Sequence, residues 1–342
     1  MTRGLRKRWL LHGLAFLFGL GIVVLLVAHA GFARFFEILR RGRPLWVGAA
    51  FLVYGGAWIF RTARMRRLAA FSGRRLGWLE IFRLQVAGFA LNTLLPAKMG
   101  DVATMGFLKL KGLPFPRAAA VVFQTRVLDL LLLVLLALPA LTAARPGGVP
   151  GWVMAPLLLG FLAVGSIFVF VTVDRSRRLE RVLGRWRERA VRRWPRLLLQ
   201  KLADFYGGYH DILKERRLLG ISAAHSLGIW VFEGFTAWLL ARAVGADPGM
   251  TVLWLALAMA NIGKSAPVTP GGIGIYESMF AAVLVLTGMP FDLSITLAIL
   301  DHAVKKVFNL CFGLPSVAML GLNLRQIYDM SQGTFEPGRD PS

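Results

Sequence analysis

Long apolar segments constrain this chain more than any other feature of its sequence. A helix needs about 20 apolar residues to cross the hydrocarbon core of a bilayer. Six segments approach or exceed that length, at residues 9–30, 45–60, 118–141, 152–173, 218–244 and 291–322. Hydrophobic residues make up 56% of the chain, against about 45–50% in soluble domains. The pattern predicts an all-α polytopic membrane protein with about six full transmembrane helices, and excludes a soluble enzyme and a disordered chain.

The net charge of +23 admits two interpretations, nucleic-acid binding or basic cytoplasmic loops. The basic residues cluster beside the apolar segments, which favours loops and predicts no nucleic-acid partner. Residues 174–217 carry 14 basic and six acidic residues, whereas residues 245–250 carry no lysine or arginine. We therefore expect the protein to lie in a bacterial-type inner (cytoplasmic) membrane, with both of its termini cytoplasmic. Residues 31–43 carry four arginines on the side assigned as external, and we expect an interfacial helix there.

Two further apolar segments, 81–110 and 252–289, are interrupted by proline, glycine and charge. Loop charges place both ends of the first segment inside and both ends of the second outside. Each segment must therefore enter the bilayer and return, from opposite faces. Two opposed re-entrant helical hairpins satisfy this requirement, and so do two pairs of thin full crossings.

The two interrupted segments share an order of residues that predicts an inverted repeat. The first reads Asn92, Pro96, Gly100, Asp101, then Gly112-Leu-Pro114; the second reads Asn261, Pro267, Pro270, Gly271, Gly272, Glu277, then Gly288-Met-Pro290. Charged apolar helices follow, with Arg126 and His302 each 14 residues after the Gly of Gly-x-Pro. Inverted repeats with broken helices near the midplane are typical of secondary transporters.

The repeat divides the chain into five parts. These are an N-terminal span and basic loop (1–43), a first repeat (44–141) with its hairpin at 80–116, a span and basic linker (142–217), a second repeat (218–325) with its hairpin at 252–289, and a polar tail (326–342). Trp186, Trp194 and ten arginines between residues 175 and 196 make the linker amphipathic. We expect residues 175–217 to lie on the anionic inner leaflet, although a plain positive-inside loop fits as well.

Broken helices and intramembrane charges together predict a binding cavity. Irregular backbone persists in a bilayer only where protein or water satisfies its N–H and C=O groups, and half-helix N-termini attract anions. The predicted substrate-binding residues are Asn92, Pro96, Gly100, Asp101, Arg126, Asp129, Glu233, Asn261, Pro267, Pro270, Gly271, Gly272, Glu277, Asp301, Lys305 and Lys306. Arg126 can pair with Asp129, and Asp301 with Lys305, at helical spacing. Structural ion pairs that pin the repeats together are the alternative.

No motif in the sequence indicates catalysis, a metal ion or a cofactor. The five histidines lack the H-E-x-x-H spacing, and no P-loop or nucleophile elbow is present. The single cysteine, Cys311, excludes an intrachain disulfide and a Cys-based zinc site. We therefore expect no catalytic residues, no metal ligands and no cofactor.

The Asn92-x3-Pro96-x3-Gly100-Asp101 segment, the Arg126-x2-Asp129 helix and the Pro267-x2-Pro270-Gly-Gly-x-Gly-x2-Glu277 segment resemble the transmembrane region of lysylphosphatidylglycerol synthases. That family is also called flippase-like, or UPF0104. The resemblance covers residues 10–325 and implies a membrane protein that moves lipids between leaflets. In the two-domain synthases an aminoacyl-transferase domain follows, whereas about a dozen polar residues follow Arg325 here, so lipid aminoacylation is not expected.

The sequence therefore predicts a non-enzymatic lipid flippase or transporter. Its substrate would be an anionic phospholipid or an isoprenoid-linked lipid. The alternatives are an intramembrane lipid-modifying enzyme, with Asp101 and Glu277 as acid and base, an accessory subunit of a cell-envelope lipid pathway, or a scaffold.

Overall fold

The computed structural model describes residues 3–95, 99–142, 174, 177–189, 193–264 and 269–320, with isolated positions between 155 and 166. These residues form helices and connecting turns without a strand, so the all-α prediction is confirmed. The helices of the first half are α1 (Arg3–Ala30), α2 (Phe32–Arg41), α3 (Pro44–Phe71), α4 (Trp78–Leu94), α5 (Met99–Leu110) and α6 (Phe115–Thr142). Those of the second half are α7 (Arg178–Arg189), α8 (Arg193–Lys214), α9 (Arg216–Ala243), α10 (Met250–Gly263), α11 (Ile275–Leu286) and α12 (Phe291–Met319), with a 3₁₀ turn at Pro270–Gly272.

Three of these helices, α3, α6 and α9, are long and apolar enough to cross a membrane. A fourth crossing results if α1 and α2, which are bent by 87° at Gly31, are counted as one span. The chain is therefore a multi-pass membrane protein. Helix α12 has 29 residues, but Asp301, Lys305 and Lys306 interrupt its apolar surface. The predicted span at 152–173 and the tail at 326–342 lie almost wholly outside the described residues.

The Gly-x-Pro sequences end both interrupted segments in the same way. Gly112 and Gly288 adopt φ angles of 92° and 96°, which favour glycine. The N–H group of the residue after each glycine donates a hydrogen bond of 3.0 Å to the carbonyl oxygen five residues earlier. These bonds run from Leu113 to Leu108 and from Met289 to Leu284. This arrangement closes a helix C-terminus, and the following proline is suited to start the next helix.

Two four-helix units follow one another along the chain. Helices α3 to α6 have 28, 17, 12 and 28 residues, and helices α9 to α12 have 28, 14, 12 and 29. Helix α3 packs along α9, α4 packs on α12, and α10 packs on α6. The hairpin of each unit therefore lies against the last long helix of the other unit.

Glycines allow the two hairpin tips to meet. A Cβ atom on Gly271, whose φ is 65°, would lie 3.1 Å from the carbonyl oxygen of Thr93 at the end of α4. Within the first hairpin, a Cβ atom on Gly100 would lie 1.9 Å from the carbonyl oxygen of Gly88. Gly100, predicted to bind substrate, is therefore a close-packing residue that lets α4 and α5 touch.

The basic linker forms an antiparallel helix pair that Asp174 anchors. Its carboxylate accepts hydrogen bonds from the backbone N–H groups of Arg178 (2.8 Å) and Leu179 (3.1 Å) at the start of α7. It also accepts one from the hydroxyl of Tyr206 on α8, at 2.6 Å. That last bond is the main reason why the pKa of Asp174 is lowered to about 2. Trp186, Trp194 and neighbouring leucines remain exposed on this pair.

Replacing Gly100 by alanine should destabilise the protein because the added methyl group has no space. Overpacking costs about 1–3 kcal/mol, which corresponds to a thermal midpoint lower by roughly 5 °C for a chain of this size. Thermal unfolding in detergent measures this, with Gly48→Ala as the control, because a Cβ atom there meets nothing within 4 Å. Equal midpoints for the two variants would contradict the packing role.

Acid should release α7 from Asp174. Because the pKa is lowered on folding, the carboxylate stabilises the helix pair above about pH 4 and loses this effect as the pH falls towards 2. Hydrogen exchange should show the amide groups of Arg178 and Leu179 protected at pH 5 and unprotected near pH 2. Asp174→Ala should leave them unprotected at both pH values, and Glu188→Gln should match the wild type. Protection in Asp174→Ala at pH 5 would show that the carboxylate does not anchor α7.

Candidate functional site

A cavity of about 370 Å³ lies where the hairpin tips approach α3, α6, α9 and α12. Of the predicted site residues, Asn92, Asp101, Arg126, Asp129, Glu233, Asn261, Gly271, Gly272, Lys305 and Lys306 line it. Gly100, Pro270, Glu277 and Asp301 are not in its wall. Pro96 and Pro267 lie outside the described residues. The cavity wall therefore draws on both interrupted segments.

In the first hairpin, Asn92 joins the end of α4 to the start of α5. Its carbonyl oxygen accepts the N–H of Gly100 at 2.8 Å, and its amide donates to Asp101 at 2.9 Å. Asp101 also accepts two hydrogen bonds from the guanidinium of Arg126, at 2.5 and 3.1 Å. The side chains of Asp101 and Arg126 are 16% and 37% exposed, so this ion pair faces the cavity.

In the second hairpin, Glu277 and His302 form the corresponding pair. Glu277 accepts the N–H of Gly274 at 2.7 Å and contacts Nδ1 of His302 at 2.6 Å. Both pairs join residues 25 positions apart. Here each side chain is only 6% exposed, and the imidazole stacks on the ring of Tyr276 at 4.3 Å. Glu277 therefore lies behind the wall and holds His302 in place.

Side chains occupy N–H groups at both half-helix N-termini. Asn92 accepts the one from Gly100 at the start of α5, and Glu277 accepts the one from Gly274 at the start of α11. One N–H group at each half-helix N-terminus is therefore occupied by a side chain of the same hairpin and is not open to an anion. Positively charged side chains in the cavity wall add to the positive potential there.

Buried ion pairs in and behind the cavity wall connect the two units. Glu233 on α9 pairs with Arg61 on α3 and, at 2.9 Å, with Lys305 on α12. Lys305 also pairs with Asp301 at 2.9 Å, as its helical spacing predicted. The Tyr276 hydroxyl donates to Asp301 at 2.6 Å. Lys305 is thus fully engaged by protein carboxylates.

Asp129 does not pair with Arg126, contrary to the prediction from their spacing. Arg64 on α3 binds both carboxylate oxygens of Asp129, at 2.5 and 3.0 Å, and donates to Ser226 on α9. Arg126 is drawn to Asp101 because α5 packs beside α6. Each member of the predicted pair therefore bonds to a different helix.

Arg61 and Arg64 are the main residues that sequence reasoning missed. Both follow the predicted apolar segment at 45–60, but α3 continues to Phe71 and buries them to 4% and 2% exposure. The signal was present, because Ala57, Arg61, Leu68 and their buried neighbours recur at helical spacing beyond residue 60. The second apolar segment is therefore longer than its hydropathy suggests.

Two lysines in the wall stand apart from these pairs. Lys264 closes α10 and lies 5.3 Å from the centre of the Tyr276 ring, while Lys306 lies on α12. Among the described residues, no carboxylate lies within ion-pair distance of either ammonium. Within the same part of the chain, no group of three or more His, Cys, Asp or Glu side chains is arranged to hold a metal ion.

Comparison with known proteins identifies the family. A family model described as the lysylphosphatidylglycerol synthase transmembrane region matches residues 12–313. The chain belongs to this family. The match covers the first four-helix unit, the second except for the last six residues of α12, and all the described residues of the cavity wall, which confirms the resemblance drawn from the sequence motifs.

Three curated relatives extend the comparison. A UPF0104 membrane protein of Methanothermobacter thermautotrophicus is 22% identical over 92% of this chain and 98% of its own length. A second protein of that name and organism is 20% identical over 90% of this chain and 93% of its own length. A protein named Glycosyltransferase AglD, from Haloferax volcanii, is 26% identical over 84% of this chain. The match spans about half of that relative, 51% of its length.

Breaking the pair between Arg64 and Asp129 should destabilise the fold. Removing one partner of a buried ion pair costs about 3–5 kcal/mol, because the other charge stays buried alone. We expect Arg64→Met and Asp129→Leu each to lower the thermal midpoint more than the double variant does. Arg67→Gln, at an exposed position of α3, is the control. A double variant as unstable as the two losses added together would exclude the pairing.

Proposed function

We propose that this protein is a non-enzymatic carrier that moves a lipid between leaflets, with the head group in the cavity and the acyl chains in the bilayer. The observation that carries the proposal is the charged cavity between the hairpin tips. Water-filled or ligand-filled space at that depth can accommodate a polar head group, which the hydrocarbon excludes. The proposed substrates are an anionic phospholipid or an isoprenoid-linked lipid.

An inverted repeat of re-entrant hairpins would provide the moving parts. Helices α5 and α11 have 12 residues each, which gives about 18 Å at 1.5 Å per residue, against a hydrocarbon core of about 30 Å. Neither can cross alone, which favours hairpins over full crossings. The matched helix lengths of the two units and the packing of each hairpin on the other unit further support the repeat.

The unequal exposure of the two ion pairs suggests how the site would alternate. The Asp101–Arg126 pair faces the cavity, and the Glu277–His302 pair is sealed. If the units exchange conformations, the second pair becomes open and the first becomes sealed. The head group would then pass from one half of the site to the other, as in carriers with inverted repeats.

A second candidate function is participation in a lipid glycosylation pathway. It is favoured by the relative named Glycosyltransferase AglD, about half of whose own length matches this chain. An acid–base role for Asp101 and Glu277 has less support, because each already bonds to a cation or imidazole and Glu277 is not in the cavity wall. An altered head group in product analysis would favour this candidate over the carrier.

The proposal includes a cytoplasmic membrane location with both termini inside. The α7–α8 pair would then lie on the anionic inner leaflet, with Trp194 and Leu198 in the interface and the arginines near phosphates. The bend at Gly31 would place α2 along the opposite interface.

Lipid movement in liposomes tests the carrier function. Purified protein should bring fluorescently labelled anionic lipid to the outer leaflet faster than empty vesicles do, as measured by quenching with an impermeant reductant. Arg126→Gln should slow this movement roughly tenfold, because a charge-assisted hydrogen bond contributes about 1.5–3 kcal/mol. Arg67→Gln, outside the cavity, should retain the rate. No movement above empty vesicles, across several anionic lipids, would refute the proposal.

Cysteine labelling tests the opposed hairpins. In a Cys311→Ser background, Lys111→Cys should react with an impermeant thiol reagent only from the cytoplasmic side, and Thr287→Cys only from outside. Leu95→Cys, near the tip of the first hairpin, should not be labelled from outside as rapidly as a residue in an external loop. Rapid labelling of Leu95→Cys from outside, even by bulky reagents, would indicate full crossings instead of a re-entrant hairpin.

A further inference from the structure

We propose that the cavity selects a phosphate-bearing head group without an amine, and that Lys264 and Lys306 hold its phosphate. This inference rests on the proposed function, because it assumes that a lipid head group enters the cavity. It replaces Lys305, one of the substrate-binding residues predicted from the sequence, by Lys264, which was not among them.

The carboxylates of the described cavity wall are already paired with cations of the protein. Three carboxylates belong to the described wall, those of Asp101, Asp129 and Glu233. Arg126 engages the first, Arg64 the second, and Arg61 and Lys305 the third. An incoming ammonium group would have to displace one of these arginines or lysines to find a negative partner. The described part of the wall therefore has no acidic group ready to receive an amine.

Two aromatic rings in the cavity wall already contact cations of the protein. Amines without a carboxylate partner often bind to aromatic faces. The ring of Phe89 already lies within 5.2 Å of the guanidinium of Arg61 and 5.1 Å of that of Arg126. The ring of Tyr276 lies 5.3 Å from the ammonium of Lys264 and 5.9 Å from that of Lys305. The protein's own cations thus occupy two of the five aromatic rings in the described wall, the others being those of Tyr54, Phe123 and Trp230.

Two ammonium groups in the described wall are left without an ion-pair partner. Among the described residues, Lys264 and Lys306 are the wall cations without a carboxylate at ion-pair distance. Lys264 ends the first helix of the second hairpin, and the ammonium group of Lys306 on α12 lies close to Gly271 at the tip. The five cations of the described wall, Arg61, Arg126, Lys264, Lys305 and Lys306, exceed its three carboxylates. A phosphate group would restore the balance, and lysine is a common phosphate ligand.

Two glycines make room for these lysines. A Cβ atom on Gly271 would lie 3.0 Å from the ammonium nitrogen of Lys306, and one on Gly272 would lie 2.7 Å from Cβ of Lys264. Both glycines also have positive φ angles, 65° and 75°. The Pro-Gly-Gly turn therefore serves as the backbone against which both lysines pack. A side chain at Gly271 would push the Lys306 ammonium away from the tip.

Binding of short-chain lipids to the full-length protein in detergent tests the selectivity. We expect dihexanoyl phosphatidic acid to raise the thermal midpoint in a saturable manner, and dihexanoyl phosphatidylethanolamine not to do so. Inorganic phosphate should bind at least tenfold more weakly than phosphatidic acid, because the acyl chains contribute apolar burial. If the ethanolamine lipid binds as tightly as phosphatidic acid, the inference is overturned. If inorganic phosphate binds as tightly as phosphatidic acid, the conclusion that the bound phosphate belongs to a lipid is overturned.

Variants assign the phosphate contact. Lys264→Gln and Lys306→Gln should each weaken phosphatidic acid binding roughly tenfold, as expected for loss of a charge-assisted contact. Lys306→Arg should retain most of the binding, and exposed Lys109→Gln should be neutral. Gly271→Ala should weaken binding, whereas Gly48→Ala should not. Unchanged binding in the Lys264→Gln/Lys306→Gln double variant, at an unchanged thermal midpoint without ligand, would overturn the assignment.

Failure of this inference can be distinguished from failure of the proposed function. Selective binding of phosphatidic acid without lipid movement in liposomes would refute the carrier and leave the head-group selectivity standing. Movement of ethanolamine and anionic lipids at equal rates would support the carrier and refute the selectivity.

Discussion

The breaks between short apolar helices are the constraint on which the rest of this structure depends. In a membrane protein, hydrocarbon cannot satisfy peptide groups that lie outside a helix, so each break needs partners from the protein. Asn92 supplies them to the first hairpin and Glu277 to the second. The close approach of Gly271 to Thr93 then sets one tip against the other. Because the tips shield each other, the space between them remains polar, and a charged cavity follows from the same requirement.

Buried charges hold the two units in register. The chain of contacts from Arg61 through Glu233 and Lys305 to Asp301 passes from α3 through α9 to α12. Such pairs add little net stability compared with apolar packing, since desolvation offsets most of their attraction. Their value lies in specificity, because a shift of one unit along the other would leave several charges buried without a partner. The proposed carrier function would also need interfaces that have a small number of defined arrangements, which ion pairs of this kind can provide.

Local signals in the sequence predicted much of the fold, and long-range contacts account for what they missed. Gly112-Leu-Pro114 and Gly288-Met-Pro290 encode helix ends through backbone preferences, and the charged helices predicted to follow them begin at Phe115 and Phe291. The partner of Arg126 could not be read from spacing, because Asp129 and Asp101 are both within reach along the chain and only the packing of α5 on α6 decides between them. Arg61 and Arg64 were misplaced for a related reason: a hydropathy window treats a paired, buried arginine like a solvated one.

The differences between the two units carry as much information as their likeness. Arg126 at the first ion pair corresponds to His302 at the second, and Asp129 corresponds to Lys305, each three residues further along its helix. The second break, from residue 264 to 274, is also longer than the first, and its two glycines bring Lys264 and Lys306 to the tip. These differences leave an excess of cations on one side of the described cavity, where Lys264 and Lys306 lie. In the proposed carrier a head group would therefore meet two different environments, although the helices of the two units have similar lengths and the same order.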